Sequence, residues 1–133
     1  SIREIDLSLR EIQVHLERSL RHSATLDRAE TGELIGFQQT WLSQIAEIRV
    51  TDATGAVILG SGVTPETRVT YSDRDFFAAH QHDHDDRTLA SKLLYGRIAE
   101  TWIVVFSRRY DLTDGSFGGV VTAAVPVAAA APA

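Results

Sequence analysis

The feature that most constrains this fold is the run Trp102-Ile103-Val104-Val105-Phe106-Ser107-Arg108-Arg109-Tyr110. Aromatic and β-branched residues dominate it, so it reads as a strand. Successive side chains on a strand point to opposite faces. Trp102, Val104, Phe106 and Arg108 therefore share one face, and Ile103, Val105, Ser107 and Arg109 the other. Both faces are mainly apolar as far as Ser107. Such a strand belongs in the middle of a sheet covered on two sides. With 133 residues, 44% of them apolar and 23% charged, the chain suits one domain around one core.

The rest of the chain supplies the partners. Ile2, Ile5, Leu9, Ile12 and Leu16 recur in steps of three and four, which draws an apolar stripe along a first helix. That stripe either packs on its own domain or forms a dimer seam and signalling stalk. A second helix is expected from Thr31 or Glu33 to Ile45, with Thr31 as N-cap and Phe37, Trp41, Leu42 and Ile45 as its buried face. After Glu47 the period changes to two: Ile48, Val50 and Asp52 alternate with Glu47, Arg49 and Thr51. Ala53-Thr54-Gly55 turns the chain into a second strand at Val57-Ile58-Leu59. A short helix follows over 72–80, with Ser72 or Asp73 as its cap. A third strand is read over 89–98. Asp114-Gly115 marks the hairpin between the long strand and the last one, 117–125, where Gly118-Gly119 signals a bulge or close approach. The expectation is an α+β domain: a curved five-stranded antiparallel sheet, a long N-terminal helix and a second helix packed on it. The expected division is a stalk helix over 1–30, the α+β domain over 31–126 and a tail or linker over 127–133.

Several function classes are disfavoured. The formal net charge of −5 argues against nucleic acid, since phosphate binding needs a basic face. The absence of cysteine excludes disulfides, thiolate metal sites and cysteine nucleophiles. No glycine-rich phosphate loop, GxSxG or HExxH occurs, so no enzyme activity and no cofactor is expected in this chain. No run of about 18 apolar residues is present. The sequence lacks methionine and is expected to come from within a longer protein.

Three segments carry a resemblance. They are Val50-Thr51-Asp52-Ala53-Thr54-Gly55-Ala56-Val57, then Ser72-Asp73-Arg74-Asp75-Phe76-Phe77-Ala78-Ala79-His80, then Trp102 to Arg109 with Asp114-Gly115-Ser116-Phe117-Gly118-Gly119-Val120-Val121. In this order and spacing they resemble the Cache family of PAS-like extracytoplasmic sensor domains, over roughly residues 33 to 125. The wording is most similar to the membrane-distal half of double-Cache sensors in proteobacterial diguanylate cyclases and histidine kinases. The resemblance implies a periplasmic input module of an inner-membrane receptor. A small solute would bind between the curved sheet and the covering loop and short helix, and helices would relay the change across the membrane. Amino-acid-binding relatives carry an aspartate where Ala124 stands and an aromatic where Val69 stands, which argues against a generic α-amino-acid ligand.

The candidate ligand-binding residues are Arg74, Phe76, Phe77, His80, Tyr95, Trp102, Ser107 and Arg108. Arg74 offers a fork suited to a carboxylate, or else pairs with Asp73 or Asp75. Phe76 and Phe77 are adjacent on a helix, so one lines the pocket or both are core. His80 either bonds a ligand or caps the helix end. Tyr95 presents its hydroxyl to a ligand or packs at the sheet edge. Arg108 and Arg109 are alternatively solvated charges or partners of Asp111 and Asp114. His80, His82 and His84 alternate among three aspartates, enough for a divalent metal if the segment were extended. A helix at His80 breaks that geometry.

Three functions compete. The first is a small-molecule sensor, with a carboxylate as the expected ligand class. The second is a metal-responsive sensor through the His80–His84 loop. The third is a ligand-free module that forms a homodimer through the first helix.

Overall fold

The computed structural model describes residues 2–42 and 46–127. Two helices come first, α1 (Ile2–His22) and α2 (Arg28–Leu42). Strands β1 (Glu47–Thr51) and β2 (Val57–Gly60) follow, then helix α3 (Asp75–His82). Strands β3 (Leu89–Ala90), β4 (Leu94–Tyr95), β5 (Trp102–Asp111) and β6 (Phe117–Pro126) complete the chain. The sheet is antiparallel throughout, in the order β2-β1-β6-β5-β3, with β4 also on β5. The long strand is central, as its two apolar faces require. Six strands replace the expected five because the segment 89–98 breaks in two. Ser91 Oγ accepts the Val105 amide at 2.8 Å, so a side chain substitutes for the ladder. Gly96 then opens a turn closed by its amide on the Thr101 carbonyl.

Each face of the sheet carries its own layer. On one face, Ile5, Leu9, Ile12 and Leu16 of α1 are buried against Ile48, Val50, Tyr110, Val121 and Ala123. The helical stripe is thus consumed within its own domain over Ile5 to Leu16. Ile2, Leu7 and Val14 stay exposed on α1. On the other face, Phe76 and Phe77 of α3 and Tyr71 pack on Ile103, Val105, Val120 and Ala124. No described helix is long and apolar enough to cross a membrane.

The second helix corrects the sequence reading. Asp27, not Thr31, caps it, its Oδ1 accepting the Glu30 amide at 3.0 Å. Phe37 and Trp41 are 61% and 73% exposed and meet edge to face at 6.4 Å. The buried face is Thr31, Ile35, Gln38 and Leu42. Two of those four are polar because α1 supplies partners: Ser8 Oγ donates to Gln38 Oε1 at 2.8 Å, and His15 Nε2 shares a hydrogen bond with Thr31. Ile45 lies outside the described residues, as does the expected tail from residue 128 on.

Gly118 and Gly119 sit at the β5–β6 irregularity, where Tyr110 pairs with Gly119 and Asp111 with Phe117. Gly119 has φ +143°, and a Cβ there would fall 2.4 Å from the Thr51 carbonyl. That close approach lets the Tyr110 hydroxyl donate to the same carbonyl at 2.6 Å.

Candidate functional site

The face of the sheet under α3 carries a polar row. Arg49 of β1, Thr122 of β6 and Ser107 of β5 are register neighbours across three strands. The layer above is built from residues 61–77 and 94–99. Between sheet and layer lies an inner cavity of about 10 Å³, room for about one water molecule. Arg49, Arg74 and Arg97 bring three guanidinium groups to its wall, beside Tyr71. Phe76, Leu94, Ile98, Ile103 and Val105 supply apolar wall. An open outer cleft of about 450 Å³ lies beyond, and Arg74, Phe76 and Leu94 border both spaces.

Each arginine has a defined setting. Arg49 is 2% exposed. Its Nε donates to the Ser61 carbonyl at 2.8 Å and its Nη2 to Glu47 at 2.5 Å. Arg74 ends the approach to α3 with extended backbone and no side-chain cap on the helix. Its Nη2 donates to the Tyr95 carbonyl at 2.7 Å. Neither Ser72 nor Asp73 caps α3, because Arg97 takes Asp73 in a two-point fork at 2.6 and 2.7 Å. That fork holds the Asp73 carboxyl down at about 2. Burial pushes the Tyr71 phenol up, while Arg49, Arg74 and Arg97 all pull it down.

Of the eight residues singled out from sequence, Arg74 and Phe76 line the inner cavity. Phe77 is core, edge to face on Phe117 at 5.2 Å. His80 is 2% exposed, and its Nε2 shares a hydrogen bond with Ser107 Oγ at 2.9 Å. Burial lowers the imidazole to about 4, so it is neutral at pH 7. The His80–Ser107 pair is therefore a satisfied core contact between α3 and β5 and leaves the cavity. Tyr95 and Trp102 pair across the exposed edge of β4 and β5, their rings 5.5 Å apart. The Tyr95 hydroxyl donates to the Glu100 carbonyl, and it is Tyr95's carbonyl that meets Arg74.

Arg108 points to the opposite face, as strand alternation demands. It donates to Gln13 of α1 at 2.7 Å, to Thr88 and to Asp86. Arg109 is buried rather than solvated. It pairs with Asp111 at 2.6 Å, donates to the His80 carbonyl at 2.9 Å and covers the Phe117 ring. His82 ends α3 and His84 follows in the loop, both exposed. Among the described residues no group of three or more His, Cys, Asp or Glu is placed to hold a metal ion.

Arg49, Tyr71 and Arg97 were not singled out from sequence. For Arg49, strand alternation gave only its face, opposite Ile48 and Val50.

No protein-family model matches the chain, and no curated protein does. Solved structures do. The extracellular domain of rpHK1S-Z16, described as a histidine kinase, is 27% identical with a TM-score of 0.79, over 93% of this chain and 49% of that one. The ligand-binding domain of the Campylobacter jejuni chemoreceptor Tlp3, with 4-methylisoleucine, gives a TM-score of 0.70 at 12% identity, over 91% and 49%. The ligand-binding domain of Mlp24 with asparagine gives 0.65 at 10% identity, over 92% and 50%. This chain spans about half the length of each of these three. With its helices on one face, its short helix and covering loops on the other and a central antiparallel hairpin, the chain has the Cache, PAS-like fold of extracytoplasmic sensor domains.

Proposed function

We propose that this chain is the extracytoplasmic small-molecule sensing domain of a transmembrane receptor, such as a histidine kinase or a diguanylate cyclase. The ligand is a small anion, a carboxylate, held against Arg74. The observation that carries this reading is Arg74 standing where the small inner space meets the open outer cleft of about 450 Å³. Arg49 and Arg97 already hold Glu47 and Asp73, whereas Arg74 donates to a carbonyl, and its guanidinium fork matches a carboxylate. The described neighbours are sensor and ligand-binding domains, two of them holding amino acids. In this reading the enzymatic output lies outside the chain. Ligand binding biases a two-state arrangement that α1 carries toward the membrane. A second copy packs on the outer face of α1, where Leu7 and Val14 stand exposed one heptad apart.

The test is a thermal-shift screen of the domain against carboxylates, amino acids, purines and divalent metals. Selective stabilisation by one class, lost in Arg74→Ala, is the expected result. A flat response across the panel refutes the reading.

A further inference from the structure

A separate cleft, of about 360 Å³, opens on the flank of the sheet at β2, an edge strand. One side is lined by Ala56, Val57 and Ile58, the other by the loop 64–70. Hydrogen bonds hold that loop in shape. The Val57 amide donates to the Val69 carbonyl at 2.9 Å, Ala56 bridges to Thr70, and the Thr64 amide donates to Thr67 Oγ1 at 2.9 Å. Arg28, in the first turn of α2, completes the lining.

Arg28 and Arg68 both line this cleft, and no carboxylate does. The Arg68 Nη1 donates to the Pro65 carbonyl at 2.8 Å and to the Thr67 carbonyl at 3.0 Å. Its fork is thereby fixed, while its Nε and Nη2 have no acceptor among the described residues. The Arg28 guanidinium makes no hydrogen bond or ion pair among the described residues. Asp52 lines an adjoining space that Arg28 also borders, but its Oδ1 is taken by the Thr54 amide and hydroxyl and the Ala56 amide. Glu66 is exposed and lies outside the lining. In a chain of net charge −5, two guanidinium groups without a countercharge at one cleft reverse the local sign.

We infer that the cleft between β2 and the 64–70 loop is a second binding site, which takes a phosphoryl group between Arg28 and Arg68. A carboxylate offers two oxygens in one plane and is satisfied by one fork. A phosphoryl group carries three strong acceptor oxygens and more negative charge, which suits two forks approaching from separate elements. Val57, Ile58 and Val69 supply an apolar floor, so a phosphate carried on a short apolar body gains contact that inorganic phosphate lacks. The site shares no lining residue with the spaces at Arg74 and does not rest on the sensor reading.

The experiment is calorimetric titration of the chain at about pH 7.5 with inorganic phosphate, phenyl phosphate and benzoate, at low salt and again at about 0.15 M salt. Phenyl phosphate binds at both salts, and more tightly than benzoate. Arg28→Gln and Arg68→Gln each weaken it about tenfold. Both side chains are exposed, so the variants keep the fold. Phenyl phosphate tighter than inorganic phosphate places the apolar body on the floor, whereas inorganic phosphate binding as tightly makes the free anion the ligand; either supports the phosphoryl site. Absence of binding by both phosphates overturns the inference, as does an unchanged Kd in either glutamine variant. Benzoate binding as tightly as phenyl phosphate overturns it too. So does binding that survives Arg28→Lys and Arg68→Lys but vanishes at the higher salt, because diffuse charge rather than a fork then holds the anion.

Discussion

His80 gives the domain a measurable acid sensitivity. Its imidazole lies at about 4 because burial disfavours the charged form, with Arg108, Arg109 and Arg87 adding to the same effect. The unfolded chain binds the proton near the ordinary 6.5. Between those values the unfolded state holds more protons, so stability rises with pH. The contribution is complete above about pH 6.5 and disappears as pH falls through about 4, a total of about 3 kcal/mol. By about pH 5 roughly 2 kcal/mol of it has gone. The assay is urea unfolding followed by circular dichroism at about pH 7.5 and about pH 5, for the natural protein and for His80→Gln. Glutamine keeps a polar group for Ser107 but does not titrate. Background titrations are common to both proteins and cancel. The natural protein should lose about 2 kcal/mol more than the variant over that interval. Equal losses would refute the claim that His80 is held neutral in the core.

Two further outcomes follow from the packing. Ile12→Ala, in the sealed layer under α1, should cost about 3 kcal/mol in urea unfolding, whereas Trp41→Ala on the exposed face of α2 should stay within about 0.5 kcal/mol; comparable costs would contradict the assignment of the faces. Arg109→Met removes the donor on the His80 carbonyl and the pair with half-exposed Asp111 and should destabilise by about 2 kcal/mol, with the added loss of amide-exchange protection concentrated in α3; protection lost evenly over the chain would refute that placement.

The sequence announced what depends on local period. The stripe on α1, the turn between β1 and β2, the long strand and its glycine-marked hairpin all follow from spacing within a few residues. The inward face of α2 did not, because Thr31 and Gln38 become core residues only when Ser8 and His15 of another helix satisfy them. Apolar character alone pointed to Phe37 and Trp41 instead. The break between β3 and β4 was hidden for a similar reason: Ser91 replaces a ladder bond on a strand 14 residues away. At the site, Arg74 and Phe76 were legible through the motif that holds them. Arg49 was not, since alternation says only that it faces away from Ile48 and Val50. Its burial is made by residues 61–77 and 94–99, which fold over it from elsewhere in the chain.

The adjacent arginines of β5 form a yoke. Arg109 grips the last turn of α3 on one side of the sheet, and Arg108 grips Gln13 of α1 on the other. The backbone between them spans a single peptide unit and does not stretch. Apolar layers slide past one another by exchanging many weak contacts, but a guanidinium fork holds its acceptors at fixed angles. Sideways travel of α3 along the sheet must therefore either break the Arg109 bonds or drag β5 with it. A dragged β5 takes Arg108 along and pulls on the middle of α1. The two helices lie on opposite faces, yet mechanically they are one residue apart.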